Sequence, residues 1–413
     1  MEPIRISKKG RRLEGTVEVP ASKSICNRLL IIRSLSASPF RIHNLSESGD
    51  TVLLAGLLEK IGRGASDEPV VLDCENAGTV MRFLTARLSV EPGRWLLTGS
   101  ERMKQRPLGG LVNALKKLGC RITYQGISGF PPVLIEGRKI RGGRSEVEAG
   151  TSSQFITALL LIAPLLPEGL VLRIRGALTS LPYVLMTIHL MERFGINISL
   201  HDNLIAVEPG VYSPIDFTAE GDWTSASYWY EAAALAAEAD VIIEGLVNSA
   251  LQGDVVLREM YRSFGIETDF REEGVRLAKR GAVSPHFSFD FTHHPDLVPA
   301  VAVTCAGLKV RARLSGLDSL RVKETDRIAA LHAELTRMSA SVHTADPPAL
   351  LINPSGLTIR EAVRTYGDHR MALSFAPLAL TGQEVTLDDA SVAAKSYPRY
   401  WENLEKLGFA LSC

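Results

Sequence analysis

The chain has 413 residues, 46% of them hydrophobic and 22% charged, a globular balance that excludes a disordered or fibrous protein. Lys plus Arg and Asp plus Glu both number 46, so no global basic excess points to nucleic acid, although a zero sum still allows a local cationic site. The length predicts two to four domains or one large duplicated architecture. The cysteines Cys26, Cys74, Cys120, Cys305 and Cys413 are scattered without a CxxC pair and read as reduced thiols of a cytoplasmic protein. The N-terminus lacks the apolar core of a signal peptide, and the longest apolar run, Phe155–Leu166, is too short to span a bilayer as a helix. A soluble protein without membrane or nucleic-acid partners is expected.

Along the chain one mark recurs: an amphipathic helix ending in a hydrophobe and a small residue, then a short strand. It falls at Ile61-Gly62, Leu118-Gly119, Phe194-Gly195, Phe264-Gly265, Met338-Ser339 and Leu407-Gly408, at intervals of 57, 76, 70, 74 and 69 residues. Strands are predicted at Arg121–Tyr124, Asn197–Leu200, Ile266–Phe270 and Val342–Ala345. A glycine just past a helix end is the usual left-handed terminator, and six units of about 69 residues account for the length.

A second mark keeps the same beat. Polar segments open apolar helices at Ser22-Lys23-Ser24, Asn76-Ala77-Gly78-Thr79, Ser152-Ser153-Gln154, Asp222-Trp223-Thr224-Ser225, His294-Pro295-Asp296 and Gly367-Asp368-His369-Arg370. Capping explains the Ser, Asp and Asn residues. It does not explain Lys23, Arg28, Arg82 and Arg370 beside the positive ends of helix dipoles, which point to a bound anion. The six units, each strand–helix–strand–helix–strand, fall into three plus three, giving two α/β domains whose helix starts converge on a cleft.

The motifs fill in this pattern. Ser22–Arg28 suits a phosphate or carboxylate but lacks the glycines of a Walker loop. In the NAGTVMR string, Gly78 permits close approach of a ligand to the backbone. Arg106 precedes Pro107, so its backbone is predicted to be extended. In Arg321–Arg327, Lys323 and Arg327 are spaced to share one helix face, with Glu324 beside them as a proton donor. His293 and His294 have no matching ligand set, so no metal is expected. Asp296 reads either as an N-cap or as a general base.

The strings SKSICNR, NAGTVMR, MKQRPLGGL, SSQF, TSLPY, VKETDR, GDHRMA and AAKSYP, in this order over essentially the whole chain, resemble the 5-enolpyruvylshikimate-3-phosphate synthases of the enolpyruvyl transferase family. The resemblance implies a two-domain inverted α/β fold of six βαβαββ-type repeats with an interdomain active-site cleft. One domain would hold residues 1–20 and 221–413, the other 21–220. It implies transfer of the enolpyruvyl group of phosphoenolpyruvate to the 5-hydroxyl of shikimate 3-phosphate, with release of phosphate, by a monomer using neither metal nor organic cofactor. Carried over by motif, Lys23, Ser24, Arg28, Ser152, Ser153, Gln154, Ser180, Tyr183, Asp296 and Lys323 would contact shikimate 3-phosphate. Lys23, Asn76, Gly78, Arg106, Gln154, Arg327, His369, Arg370 and Lys395 would line the phosphoenolpyruvate site. Asp296 would accept the 5-hydroxyl proton, and Glu324 with Lys23 would protonate the methylene carbon. Gly78 would leave room for glyphosate.

Two positions depart from the family pattern: Ser319 stands where an asparagine often touches the shikimate phosphate, and Glu75 where a glycine is common before NAGT. Two alternatives remain. The sister UDP-N-acetylglucosamine enolpyruvyl transferases usually carry a reactive cysteine before the position of Arg106, and Leu97–Gln105 contains none. A non-catalytic anion-binding relative would not need Asp296, Glu324 and Lys23 together.

Overall fold

The structure is a computed structural model that describes residues 2–62, 68–148, 150 and 152–412. The chain forms two compact units. The first comprises residues 1–22, 47–49 and 220–413, and the second residues 23–46 and 50–219. The short excursion Glu47–Gly49 into the first unit had no counterpart in the sequence pattern.

In the second unit one plan is built twice. Val70–Asp73 and Gly93–Thr98 run parallel, so the chain must cross over between them, and it does so through the helix Gly78–Ser89. The helix Gly109–Lys117 then leads into Arg121–Tyr124 and Val133–Gly137, an antiparallel hairpin that adds to Gly93–Thr98. The repeat is Gly143–Glu148 parallel to Leu170–Arg175 across the helix Ser153–Ile162, followed by the helix Leu181–Arg193 and the strands Ile198–His201 and Leu204–Val207. Alternation sets the buried face: Leu170, Leu172 and Ile174 point inward while Arg173 and Arg175 point out. The third repeat holds the helix Lys23–Leu35 and the short parallel pair Ile42–His43 and Phe217–Thr218.

The first unit follows the same plan. Arg12–Glu18 lies parallel to Glu238–Glu244, with Ile266–Phe270 and Gly274–Lys279 completing the sheet. His286–Asp290 lies parallel to Arg311–Ser315 across the helix Val298–Gly307, and Ser341–Ala345 with Ala349–Asn353 completes that sheet. A three-stranded antiparallel sheet places Ile4–Lys8 between Val385–Leu387 and Phe409–Ser412.

The recurring mark has a backbone cause. Gly119, Gly195, Gly265, Ser339 and Gly408 all sit at positive φ, between 65° and 95°. Gly62 is the exception, because it is the last residue of the helix Gly49–Gly62. Beneath the helix starts lies dense packing: all thirteen residues of the helix Trp223–Leu235 are buried, and Val298–Gly307 and His369–Phe375 belong to the same core. Helices so surrounded hold their first turns rigidly.

Candidate functional site

On the second unit, Lys23 is the first helical residue and its Nζ lies 3.1 Å from Asp50 Oδ2. One turn on, Arg28 is 4% exposed. Its Nε donates to Thr187 Oγ1 at 2.8 Å, Nη1 to the Ser24 carbonyl at 2.7 Å, and Nη2 to the Tyr183 carbonyl at 2.9 Å and Thr157 Oγ1 at 3.3 Å. Among the described residues Arg28 has no carboxylate partner. Burial pushes its guanidinium down to about 10, against the opposing influence of Tyr183. A desolvated cation held by neutral groups is costly alone and is relieved by an anion.

A second cluster joins two helix starts. Arg106 is extended (φ −91°, ψ 128°) ahead of its proline and nearly buried, and its Nη1 donates to the Asn76 carbonyl at 3.0 Å and to Asn76 Oδ1 at 3.4 Å. A methyl group on Gly78 would meet Arg106 Nη2 at 2.5 Å, so the missing side chain makes room for the guanidinium itself. Arg82 turns away, donating to the carbonyls of Gly78 at 3.3 Å and Pro107 at 2.7 Å. Ser152 caps its helix, accepting from the Gln154 amide at 3.2 Å, and Gln154 Nε2 donates to Thr79 Oγ1 at 3.2 Å. Ser153 opens that helix, half-buried. Ser180 is held in the left-handed region (φ 53°, ψ 38°), which stores strain at the head of the helix that carries Tyr183. Glu75 also has positive φ (49°) and an exposed side chain. The backbone there favours glycine, so the glutamate noted as a departure at that position sits in a conformation that a side chain disfavours.

On the first unit, Asp296 is the centre. Its Oδ1 accepts from Arg327 Nη1 at 2.9 Å and from Lys323 Nζ at 3.4 Å, and its Oδ2 accepts from Arg370 Nη2 at 2.8 Å. It does not cap a helix: it lies inside the 3-10 turn Pro295–Leu297, and its carboxylate faces cations. Burial opposes its ionisation, but Arg370, Lys323 and Arg327 outweigh burial and hold the carboxyl well below its ordinary range. Lys323 is itself lowered by burial, against the pull of Asp296.

The expected sharing of a helix face by Lys323 and Arg327 is corrected. Asp326 caps the helix Arg327–Arg337, accepting from the Ile328 and Ala329 amides at 3.1 Å each, so Lys323 precedes the helix in extended conformation. The common partner Asp296 brings the two cations together instead. Arg327, 1% exposed, also donates to Asp368 through Nε (2.8 Å) and Nη2 (3.2 Å), and to Glu324 Oε2 at 2.9 Å. Glu324 Oε1 lies 3.6 Å from Lys395 Nζ. Asp368 accepts the Arg370 amide at 2.9 Å, capping the helix that carries His369 and Arg370, and His369 Nδ1 is 3.6 Å from Asp368 Oδ1. Ser319 is half-buried in the 3-10 turn Asp318–Val322.

Sequence reasoning gave no role to Asp368, Asp50, Thr157, Thr187 or Tyr228, whose hydroxyl accepts from Arg370 Nη1 at 3.2 Å. Only Asp368 left a signal, as a capping residue in a string already noted. Among the described residues no group of three or more His, Cys, Asp or Glu is arranged to hold a metal, and His294 instead lies 3.3 Å from Asp254. Cys26, Cys74, Cys120 and Cys305 are buried thiols outside any disulfide, and Cys413 lies outside the described residues. Among the described residues no helix is long and apolar enough to cross a membrane.

Comparison with known proteins agrees with this arrangement. The family model described as EPSP synthase (3-phosphoshikimate 1-carboxyvinyltransferase) matches residues 7–404. A 3-phosphoshikimate 1-carboxyvinyltransferase of Bacteroides fragilis is 42% identical over 405 residues, covering 97% of both chains. One of Vibrio cholerae is 35% identical over 429 residues, covering 98% of both. The solved EPSP synthase of Acinetobacter baumannii superposes with a TM-score of 0.78 at 20% identity, covering 100% of both chains, which establishes the shared fold. Profile, length and fold agree, and the chain belongs to the EPSP synthase family.

Proposed function

We propose that this chain transfers the 1-carboxyvinyl group of phosphoenolpyruvate to the 5-hydroxyl of shikimate 3-phosphate, releasing phosphate. The observation that carries the reading is a carboxylate, Asp296, set among Lys323, Arg327 and Arg370, so that a base stands beside cations suited to anionic substrates. A phosphate monoester carries about −1.5 to −2 charges near neutral pH. At an effective dielectric near 20, two like unit charges ~4 Å apart repel by about 4 kcal/mol. Two such anions need several fixed cations, and Lys23, Arg28, Arg106, Lys323, Arg327, Arg370 and Lys395 supply seven.

In this reading Lys23, Ser24, Arg28, Ser152, Ser153, Gln154, Ser180, Tyr183, Asp296 and Lys323 hold shikimate 3-phosphate. Lys23, Asn76, Gly78, Arg106, Gln154, Arg327, His369, Arg370 and Lys395 hold phosphoenolpyruvate. Asp296 takes the proton of the 5-hydroxyl as its oxygen bonds to C2 of phosphoenolpyruvate, while Glu324 with Lys23 delivers a proton to C3. The tetrahedral adduct then loses a C3 proton and expels phosphate, restoring the double bond. The cations that depress Asp296 are those assigned to the substrate anions, so their turning to substrate would return basicity to it. The reading includes a cytoplasmic monomer acting without metal or organic cofactor.

Asp296→Asn tests it. The rate falls by ~10²–10⁴ while calorimetry shows shikimate 3-phosphate binding largely kept. Near-normal turnover removes Asp296 from the chemistry. Phosphate release with UDP-N-acetylglucosamine, and none with shikimate 3-phosphate, would favour the sister activity.

A further inference from the structure

Tyr228 lies on the helix Trp223–Leu235, outside every string that carries the family resemblance. Its phenol oxygen accepts from Arg370 Nη1 at 3.2 Å, while Nη2 of the same guanidinium donates to Asp296 at 2.8 Å. The ring is 1% exposed and meets Tyr400 edge-on, with centroids 5.9 Å apart at 69°. Tyr400 in turn donates its hydroxyl to the carbonyl of Leu373, one turn beyond Arg370 on the same helix. Arg370, Tyr228, Tyr400 and Leu373 thus form a closed circuit. The phenol cannot swing without breaking packing that the helix itself anchors.

The kind of acceptor matters as much as its place. Arg327 is gripped by the buried carboxylate of Asp368, which cancels charge as it orients. Burial pushes the Tyr228 phenol up to about 12, against the pull of Arg370, so at neutral pH it stays uncharged. A neutral acceptor aims one edge of the guanidinium without cancelling its charge. We infer that Tyr228 is a positioning residue that fixes the Nη1 edge of Arg370 without adding a second negative charge beside Asp296, so that the guanidinium stands oriented for the carboxylate or phosphate of phosphoenolpyruvate. This rests on the assignment of Arg370 to that substrate.

Tyr228→Phe removes one oxygen and keeps the ring, so the packing against Tyr400 survives. Freeing an arginine side chain that must be ordered again on binding, together with one lost hydrogen bond, raises KM for phosphoenolpyruvate by on the order of tenfold. KM for shikimate 3-phosphate stays within about twofold and kcat within about threefold. Arg370→Ala is measured alongside, with the double variant. If Arg370→Ala leaves KM for phosphoenolpyruvate unchanged, the assignment of the site fails. If Arg370→Ala raises it and Tyr228→Phe does not, the inference about Tyr228 fails alone. A double variant no worse than Arg370→Ala shows that Tyr228 acts through the arginine, whereas additive losses overturn that route. A lowered melting temperature with both KM values unchanged shows a merely structural phenol and overturns it as well.

Discussion

The two units present cations at their helix starts in opposite ways. On the second, Arg28 is buried among two threonine hydroxyls and two carbonyls. On the first, Arg327 is bound by Asp368, Glu324 and Asp296, and Asp296 is shared with Lys323 and Arg370. One arrangement leaves a positive charge without a carboxylate among the described residues, and the other balances charge internally. In the function proposed above the first serves as a receptor for anions and the second as a network for acid–base chemistry, although one repeat plan builds both.

Mutations should break this contrast unequally. The largest effect on stability is expected from Asp368→Ala. It takes from the buried Arg327 one of its three carboxylates, the only fully buried one of them, and removes a helix cap, so urea unfolding should show a loss of about 3–5 kcal/mol. A loss below about 1 kcal/mol would mean the network is not a structural keystone.

The second effect concerns a carboxyl of the first unit outside that network. Glu231, fully buried on the helix Trp223–Leu235, has no hydrogen-bond partner for either oxygen among the described residues, and burial raises it well above 4.5. The folded protein keeps the proton while the unfolded chain releases it above about pH 4.5, so stability falls as pH rises. Glu231→Gln removes this dependence. Its advantage over the natural residue should grow by up to about 1.4 kcal/mol per pH unit above that point, until the folded group itself titrates. Melting curves from pH 4 to 8 that run parallel would sink the idea.

The smallest effect on stability belongs to Arg28→Met. It abolishes a costly buried charge, and Thr157 and Thr187, 3.0 Å apart, can satisfy each other. Unfolding free energy should move by less than about 1 kcal/mol. Shikimate 3-phosphate affinity should nevertheless fall by on the order of a hundredfold, since charge-assisted hydrogen bonds are lost. Unchanged affinity in calorimetry would remove Arg28 from the receptor.

What the sequence made legible was local. Helix starts at Ser152, Asp222 and Asp368 could be found because their caps are written in adjacent residues, and helix ends because of positive-φ terminators, as at Gly195 and Gly265. The site residues stood out because they fall in those same strings. Partnerships across the chain were not legible. Tyr228 and Arg370 are 142 positions apart, and nothing near Tyr228 separates it from the other aromatics of its helix. Lys323 and Arg327 misled for a local reason: Asp326 spends its side chain on capping, which breaks the helix between them. At Gly78 the small residue was legible but its neighbour was not, since the space it leaves is occupied by Arg106.

The strand Ile4–Lys8 occupies the middle of a sheet whose flanks, Val385–Leu387 and Phe409–Ser412, come from the far end of the chain. A ribosome therefore releases that strand long before either neighbour exists. The whole second unit emerges in between and is free to form first. Until those flanking strands are made, the apolar side of Ile4 and Ile6 lacks the cover it has in the fold. Order of synthesis and order of assembly are thus uncoupled in this molecule: a strand made early waits for partners made late.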